Sequence, residues 1–133
     1  MNVEKLTQKS MDAIRKAQNI AVMQSNQVIE PVHLLGGLLK QENGLIPQLL
    51  KKMNVDSDIF EGEVDKKINS LPKVTGSGRS NNIGISADCD RIITNAEKIA
   101  SDMKDEYVSV EHLMLSLIQS ENKDIAQLFR TFN

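Results

Sequence analysis

Aromatic residues are scarce in this sequence: its 133 residues include no tryptophan, one tyrosine and three phenylalanines. The hydrophobic core must therefore be built from Leu, Ile, Val, Ala and six Met, a set typical of packed helices more than of sheets. We expect an all-α fold, with most of the methionines inside it.

Cysteine is almost absent, because Cys89 is the only one. A disulfide framework and a cysteine zinc site are both excluded within this chain. We predict that Cys89 is a buried, inert thiol, and the composition indicates a cytoplasmic protein. Residues 1–5 contain no apolar signal core, and no apolar run is long enough to cross a bilayer, so we expect no membrane partner.

Neither sign of charge is in large excess: the 16 Lys and Arg residues nearly balance the 18 Asp and Glu residues, which gives a net charge of −2. Without a basic stripe, nucleic-acid binding is not expected. A phosphate-binding GxxxxGK[ST] motif is also missing, because residues 76–79 are glycine-rich but lack the lysine. We therefore expect no cofactor in this chain.

An internal repeat organises the sequence. A shift of 79 residues aligns residues 6–54 with residues 85–133 without a gap, and 13 of the 49 pairs are identical. Most identical pairs are apolar, for example Leu38 with Leu117 and Leu49 with Leu128. Positions shared by both halves are interpreted as core.

The shared apolar positions recur at helical spacing. They predict a first helix over residues 7–24, with Thr7 and its mate Ser86 as N-caps. They predict a second helix that begins at Pro31, with a copy capped by Ser109, and a third around Leu49, with a copy that extends to Phe132.

A fourth helix is predicted to follow Asp56 and to end before Pro72. We divide the chain into a first repeat (1–71), a connector (72–84) and a second repeat (85–133) within one domain. The second repeat contains no copy of the fourth helix, so we expect the chain to be part of a longer one.

Two segments carry a family resemblance: residues 27–35 and their echo at 107–113, together with the alanines of the first helix. They resemble the duplicated N-terminal domain of Clp unfoldases, and the connector at 71–78 is most similar to that of the ClpB disaggregases. The resemblance implies two pseudo-twofold-related repeats of a four-helix unit, with the last helix of the second repeat missing. Gly36 and Gly37 depart from the Leu and Ala usual there, which we expect to loosen the second helix.

The resemblance also implies a function. This chain would be the substrate-recognition domain of an ATP-dependent disaggregase, binding apolar segments of unfolded or aggregated proteins and catalysing nothing itself. ATP and Mg²⁺ would belong to motor domains of a parent chain that assembles as a hexamer, with co-chaperones as possible partners. An adaptor-docking domain of a ClpC- or ClpA-type protease unfoldase is the alternative.

Five residues are candidates for substrate binding. The resemblance implicates Thr7, Asp105 and Glu111, with Ile99 and His112 as possible walls of an apolar groove where the two repeats meet. Asp105 and Glu111 have Asn26 and Val32 as mates, so we infer that the shared architecture leaves both acids free for a local role.

Three structural alternatives stay open for these candidates. Glu111 could merely complement a helix dipole, and Asp105 could be a solvated turn residue. Ile99 is also a shared, core-type position. A polar Asn95 close to the proposed groove argues against a strongly apolar wall.

Two other chemistries are disfavoured by the residues. A hydrolase based on Asp105 and Glu111 would lack a nucleophile and a metal. His33 and His112 have no second His or Cys at ligand spacing, so we predict that they bond to the backbone or a nearby carboxylate at a helix start.

Overall fold

The computed structural model describes residues 2–74 and 83–131. A 3₁₀ turn at Val3–Lys5 precedes seven α-helices: α1 (Gln8–Met23), α2 (Pro31–Leu39), α3 (Leu45–Lys52), α4 (Ser57–Asn69), α5 (Ala87–Asp102), α6 (Val110–Gln119) and α7 (Lys123–Thr131). Within the described ranges, β-pairing is limited to two isolated bridges. The all-α prediction is confirmed.

The helix starts follow the caps predicted from the sequence. The Thr7 Oγ accepts the backbone N–H of Ser10 at 3.1 Å, and the Ser86 Oγ accepts that of Cys89 at 3.1 Å. Asp56 caps α4 in the same way, and Pro31 is the first residue of α2, where its missing N–H costs nothing. Local sequence therefore fixes where these helices begin.

The two β-bridges reveal the internal twofold. Leu6 pairs with Val108, and Ile29 pairs with Ile85. The 79-residue shift converts one bridge into the other, because Leu6 corresponds to Ile85 and Ile29 to Val108. In each repeat, one bridge residue precedes the first helix and the other follows it. The residue before the first helix of one repeat pairs with the residue after the corresponding helix of the other repeat.

The centre of the domain is formed by α2 and its counterpart α6. All nine residues of α2 are buried, and six of the ten residues of α6 are buried. Helix α1 packs on α2, α5 packs on α6, and α4 covers a further side of α2. One continuous apolar cluster runs through both repeats.

Gly37 has a packing role that the sequence did not reveal. A Cβ atom at this position would lie 2.3 Å from the carbonyl oxygen of Ala13, so the glycine allows α1 and α2 to approach closely. The corresponding residue in the second repeat is Ser116, and Ala13 corresponds to Ile92. The Ser116 Oγ donates to the Ile92 carbonyl at 2.6 Å. A small residue is needed at the same helix crossing in both repeats.

The connector and the chain end are described only in part. The backbone N–H of Val74 donates to the Ser25 carbonyl at 2.7 Å, and the Asn26 Nδ2 donates to the Pro72 carbonyl at 3.1 Å, which anchors the start of the connector. The glycine-rich residues 76–79 and Phe132, predicted to extend the last helix, lie outside the described residues. Residues 83–131 contain no counterpart of α4.

Candidate functional site

The two histidines close equivalent turns in the two repeats. The His33 Nδ1 accepts the backbone N–H of Glu30 at 2.8 Å, and its Nε2 donates to the Asn26 Oδ1 at 2.8 Å. The His112 Nδ1 likewise accepts the backbone N–H of Ser109 at 2.9 Å, and its Nε2 donates to the Asp105 Oδ2 at 2.8 Å. The predicted structural role at a helix start is therefore correct for both histidines.

Asp105 is part of this shared architecture, which corrects our inference that it is free for a local role. Asn26 and Asp105 occupy the same position, and each presents a side-chain oxygen to the Nε2–H of a buried histidine. The position requires an acceptor oxygen and not a negative charge. The Asp105 side chain is still 47% exposed, so its carboxylate also faces solvent.

Substitutions of Asp105 distinguish a role as hydrogen-bond acceptor from a role as negative charge. Asp105→Asn keeps an acceptor oxygen, as Asn26 does in the first repeat, so we expect a change in unfolding free energy within about 0.5 kcal/mol. Asp105→Ala leaves the buried His112 Nε2–H without its partner and should cost about 1 to 2 kcal/mol. Urea unfolding monitored by circular dichroism measures both, and equal losses would contradict the acceptor role.

Of the other candidate residues, Thr7 is next to the Leu6–Val108 bridge, and Glu111 and His112 follow Val108 within four residues of the chain. The backbone N–H of Thr7 donates to the Val108 carbonyl at 3.1 Å, which places Thr7 next to the segment between Asp105 and Glu111. Glu111 is exposed in the first turn of α6. Ile99 is half-buried, while His112 is only 4% exposed. The structure therefore gathers Thr7, Asp105 and Glu111 in one region, with His112 beneath the surface.

The surface near Asn95 is polar, as this residue suggested. The Asn95 Nδ2 donates to the Ser116 Oγ at 3.2 Å and to the Gln119 Oε1 at 3.3 Å. Asp88, Arg91 and Glu121 also line this depression, so charged and amide groups dominate its wall. An apolar groove does not form at this place.

An apolar cleft lies elsewhere, where the first repeat meets the second. We call it the seam cleft; its volume is about 440 Å³. Its walls come from both repeats and are mainly aliphatic or aromatic: Ile46, Leu49 and Leu50 of α3, Met53 and Val55 after it, Phe60 of α4, Met114 and Ile118 of α6, Ser120, and Ala126, Phe129 and Arg130 of α7. None of the five candidate residues lines it.

Several walls of the seam cleft correct the core interpretation. Leu49 is 37% exposed, Ile118 48% and Met53 58%, although Leu49 is one of the shared apolar positions interpreted as core. Met23 and Met103 are exposed as well, so the methionines are less buried than expected. The sequence did contain one signal, because the fourth helix of the first repeat has no copy within residues 85–133.

Cys89 offers no chemistry to either surface. It is 1% exposed, and burial raises the pKa of its thiol to about 12, with smaller contributions from the carboxylates of Glu30, Asp90 and Asp88. A thiol with so high a pKa is almost entirely protonated at neutral pH and is a poor nucleophile. The predicted inert, buried thiol agrees with this environment.

Within residues 2–74 and 83–131, no three His, Cys, Asp or Glu side chains come together in a way that could hold a metal ion. None of the helices in this part of the chain has the length and apolar character needed to span a membrane.

Comparison with known proteins gives the domain its family. The sequence profile of the Clp repeat (R) N-terminal domain matches residues 5–132. The chain belongs to the Clp N-terminal domain family. As a Clp N-terminal domain, it shares with its relatives the helical double repeat described above.

The similar proteins include ClpB chaperones. The chaperone protein ClpB of Clostridium tetani (strain Massachusetts / E88) is 42% identical over 134 residues, which cover 100% of this chain and 16% of that protein. The ClpB protein of Bacillus anthracis is 37% identical over 134 residues, covering 100% of this chain and 15% of the relative. The chain thus spans about a sixth of the length of these relatives.

Solved structures agree with the fold. The N-terminal domain of Hsp104 from Candida albicans superposes with a TM-score of 0.83 at 24% identity, covering 96% of this chain and 81% of that one. At this identity, the superposition supports the Clp N-terminal fold and carries no information on partners.

Proposed function

We propose that this Clp N-terminal domain is the substrate-recognition domain of an ATP-dependent, ClpB-like disaggregase. It binds apolar segments of unfolded or aggregated proteins and has no catalytic role of its own. ATP and Mg²⁺ act in the motor domains of the parent chain, which works as a hexamer with co-chaperones. Whole-chain similarity to ClpB proteins supports the assignment.

The seam cleft is the observation that carries this proposal. Five exposed large apolar side chains lie close to the cleft: Leu45 and Leu49 of α3, Met53 directly after α3, and Leu115 and Ile118 of α6. Single exposed apolar residues are ordinary, but a group of them beside an apolar cleft is typical of a binding surface. An unfolded polypeptide offers matching apolar side chains that a folded protein hides.

The region around Thr7, Asp105 and Glu111 serves, in this proposal, as an acidic accessory contact. Glu111 and the exposed side of Asp105 present negative charge near the N-terminal end of α6, whereas Ile118 lies in its last turn. A client segment with basic residues beside its apolar ones would engage both ends of this helix. His112 lies beneath this region and donates to the Asp105 Oδ2 at 2.8 Å, and we include Ile99 as a possible apolar contact beside it.

Binding of an unfolded client should be weak. A flexible client loses conformational entropy when it is held, and a shallow cleft recovers only part of that loss. We therefore propose micromolar or weaker affinity, which suits a receptor that must release its client to a motor.

The seam cleft can be tested with a permanently unfolded protein, reduced and carboxymethylated, that carries a fluorescent label. Ile118→Asp and Leu49→Asp each place a charge in the apolar wall, and we expect either substitution to weaken binding about tenfold or more in fluorescence anisotropy. Met103→Asp is the matched control, because Met103 is 56% exposed and lies outside the cleft. Equal affinity of all four proteins would exclude the cleft as the client site.

An adaptor-docking role in a ClpC- or ClpA-type protease unfoldase is the alternative. Tight binding of a folded adaptor, with no measurable binding of the unfolded protein, would favour that role. Saturable binding of the unfolded protein without an adaptor would favour the disaggregase.

A further inference from the structure

The turn between α2 and α3 contains two neighbouring residues with unusual backbone requirements. Asn43 has a φ of 52°, in the left-handed region, which glycine and asparagine adopt more readily than other residues. At Gly44, a Cβ atom would lie 2.9 Å from the carbonyl oxygen of Gln41 and 3.1 Å from the Gln41 Cβ, so a larger residue would force the turn to shift. The fold therefore favours an Asn-Gly pair at this place.

An Asn-Gly pair is chemically labile. The backbone nitrogen of the residue that follows an asparagine can attack the Cγ of the asparagine side chain and close a cyclic succinimide. A side chain on the following residue hinders this approach, whereas glycine has none. Asparagine is accordingly among the residue types that limit the chemical stability of proteins at high temperature.

The side chain of Asn43 is free to rotate into the reactive position. It is exposed, and within residues 2–74 and 83–131 its amide has no hydrogen-bond partner. Its neighbours are held more firmly, because the Gln41 Nε2 donates to the Lys9 carbonyl of α1 at 2.8 Å and Gly44 is buried. The amide can therefore turn towards Gly44 while the rest of the turn stays anchored.

The backbone N–H of Gly44 controls the reaction. It donates to the Gln41 carbonyl at 3.1 Å and so closes the turn. The nitrogen attacks only after it loses its proton, so this hydrogen bond must open first. Helix α3 begins at the next residue and has no side-chain cap at Gly44. Because a helix end opens more readily than a helix interior, local opening here exposes the nitrogen.

We propose that Asn43 is a site of spontaneous deamidation. The Gly44 nitrogen forms a bond to the Asn43 Cγ, the bond from Cγ to the side-chain nitrogen breaks, and that nitrogen leaves as ammonia with the proton that Gly44 gave up. Water then opens the succinimide at either carbonyl, which leaves aspartate or isoaspartate at this position. Water is the only co-reactant, and nothing is oxidised or reduced.

The two products differ in their effect on α3. Aspartate keeps the main chain unchanged and adds a negative charge just before the N-terminal end of α3, where the helix dipole favours it. Isoaspartate routes the main chain through the Asn43 Cβ and Cγ and so lengthens it. The turn can then no longer close between Gln41 and Gly44 as before. Because α3 packs on α2, α4 and α6, we expect isoaspartate to loosen these contacts.

Asn54 is an internal reference for the chemistry. It is exposed and has a φ of 63°, so its surroundings and its backbone resemble those of Asn43. It is followed by Val55, whose β-branched side chain restricts the approach of the backbone nitrogen. Asn54 should therefore deamidate much more slowly, although it is equally accessible to water.

Asn122 is a second reference, because the internal repeat aligns it with Asn43. Its Nδ2 donates to the Asp88 Oδ2 at 2.9 Å, and its Oδ1 accepts the backbone N–H of Ile125 at 3.2 Å. The following residue is Lys123, which carries a side chain. Asn122 is thus both held in place and hindered, and it should be the more stable of the two aligned asparagines.

Peptide mapping of the aged chain tests the proposal. Trypsin releases the three asparagines in separate peptides, residues 41–51, 53–66 and 105–123, each with a single asparagine. During storage of the folded chain in mildly alkaline buffer, the mass gain from amide to acid should accumulate at Asn43 about tenfold or more faster than at Asn54 or Asn122. A fresh sample gives the background, and peptide fragmentation distinguishes Asn43 from the glutamines. Equal rates at the three asparagines would overturn the inference.

Two variants test the turn itself. Asn43→Gly keeps a residue that adopts positive φ and removes the amide, so it should fold normally and lose the main acidic form that ion-exchange chromatography detects in the aged chain. The same acidic form in Asn43→Gly would place the reaction elsewhere and overturn the inference. Gly44→Ala should slow the reaction at Asn43, and unfolding in urea should accelerate it by removing the hydrogen bond of Gly44.

The effect on α3 is measured on the separated products. Asn43→Asp has the same covalent structure as the aspartate product, and we expect its Tm to equal or exceed that of the original protein. The isoaspartate form should unfold several degrees lower, because its turn cannot close. An isoaspartate form as stable as Asn43→Asp would contradict the link between this turn and α3.

Discussion

Gly37→Ala is expected to destabilise the domain by about 2 to 3 kcal/mol, although alanine is the better helix former. The added methyl group would lie 2.3 Å from the Ala13 carbonyl oxygen and 3.1 Å from the Ala17 nitrogen. Both are backbone atoms of α1, so α1 and α2 must separate and the contacts between them loosen. Thermal unfolding should show a fall in Tm of roughly 10 °C.

Gly36→Ala is the control for this prediction. At Gly36, the nearest atom to the new methyl group is the Ile68 Cδ1 at 3.3 Å, the flexible end of a side chain. A small rearrangement accommodates it, and the gain in helix propensity of about 0.5 to 1 kcal/mol offsets the strain. We expect a Tm within a few degrees of the original protein, and similar losses for both variants would contradict the close-approach role of Gly37.

Acidification is expected to cost roughly 3 kcal/mol of stability through His33 alone. Its imidazole is fully buried, and burial lowers its pKa from 6.5 to about 4. Protonation would also remove the Nδ1 lone pair that accepts the Glu30 backbone N–H. The unfolded chain binds the proton more readily, so this contribution is complete above about pH 6.5 and is lost as the pH falls towards 4.

Two measurements test the histidine prediction. NMR titration of the ring C–H resonances gives the pKa of His33 directly, and a value near 6.5 would contradict the prediction. Urea unfolding between pH 7 and pH 4 gives the linked loss of stability. Other groups titrate in this range, so His33→Asn is the reference: it should be less stable at pH 7 but lose less on acidification.

The residues also show how far the sequence alone reaches towards the site. Asn26 and Asp105 looked like a difference between the repeats, and their equivalence emerged only from the bonds to His33 and His112. A hydrogen-bond acceptor can be an amide or a carboxylate, so comparing residue types hides a shared role. Leu49 was interpreted as core although it is 37% exposed, because periodicity identifies which face of a helix is apolar but not whether another helix covers it.

The sequence by itself determined the helical class, the duplication and the helix starts, because these depend on local spacing and on caps within four residues of each helix end. The tertiary structure decided which residues contact one another across the domain. It made Gly37 a contact point between helices, bound Asp105 to His112, and left Leu49 and Ile118 open beside the seam cleft. These features depend on atoms brought together from distant parts of the chain, and an uncovered face is defined by neighbours that periodicity cannot specify.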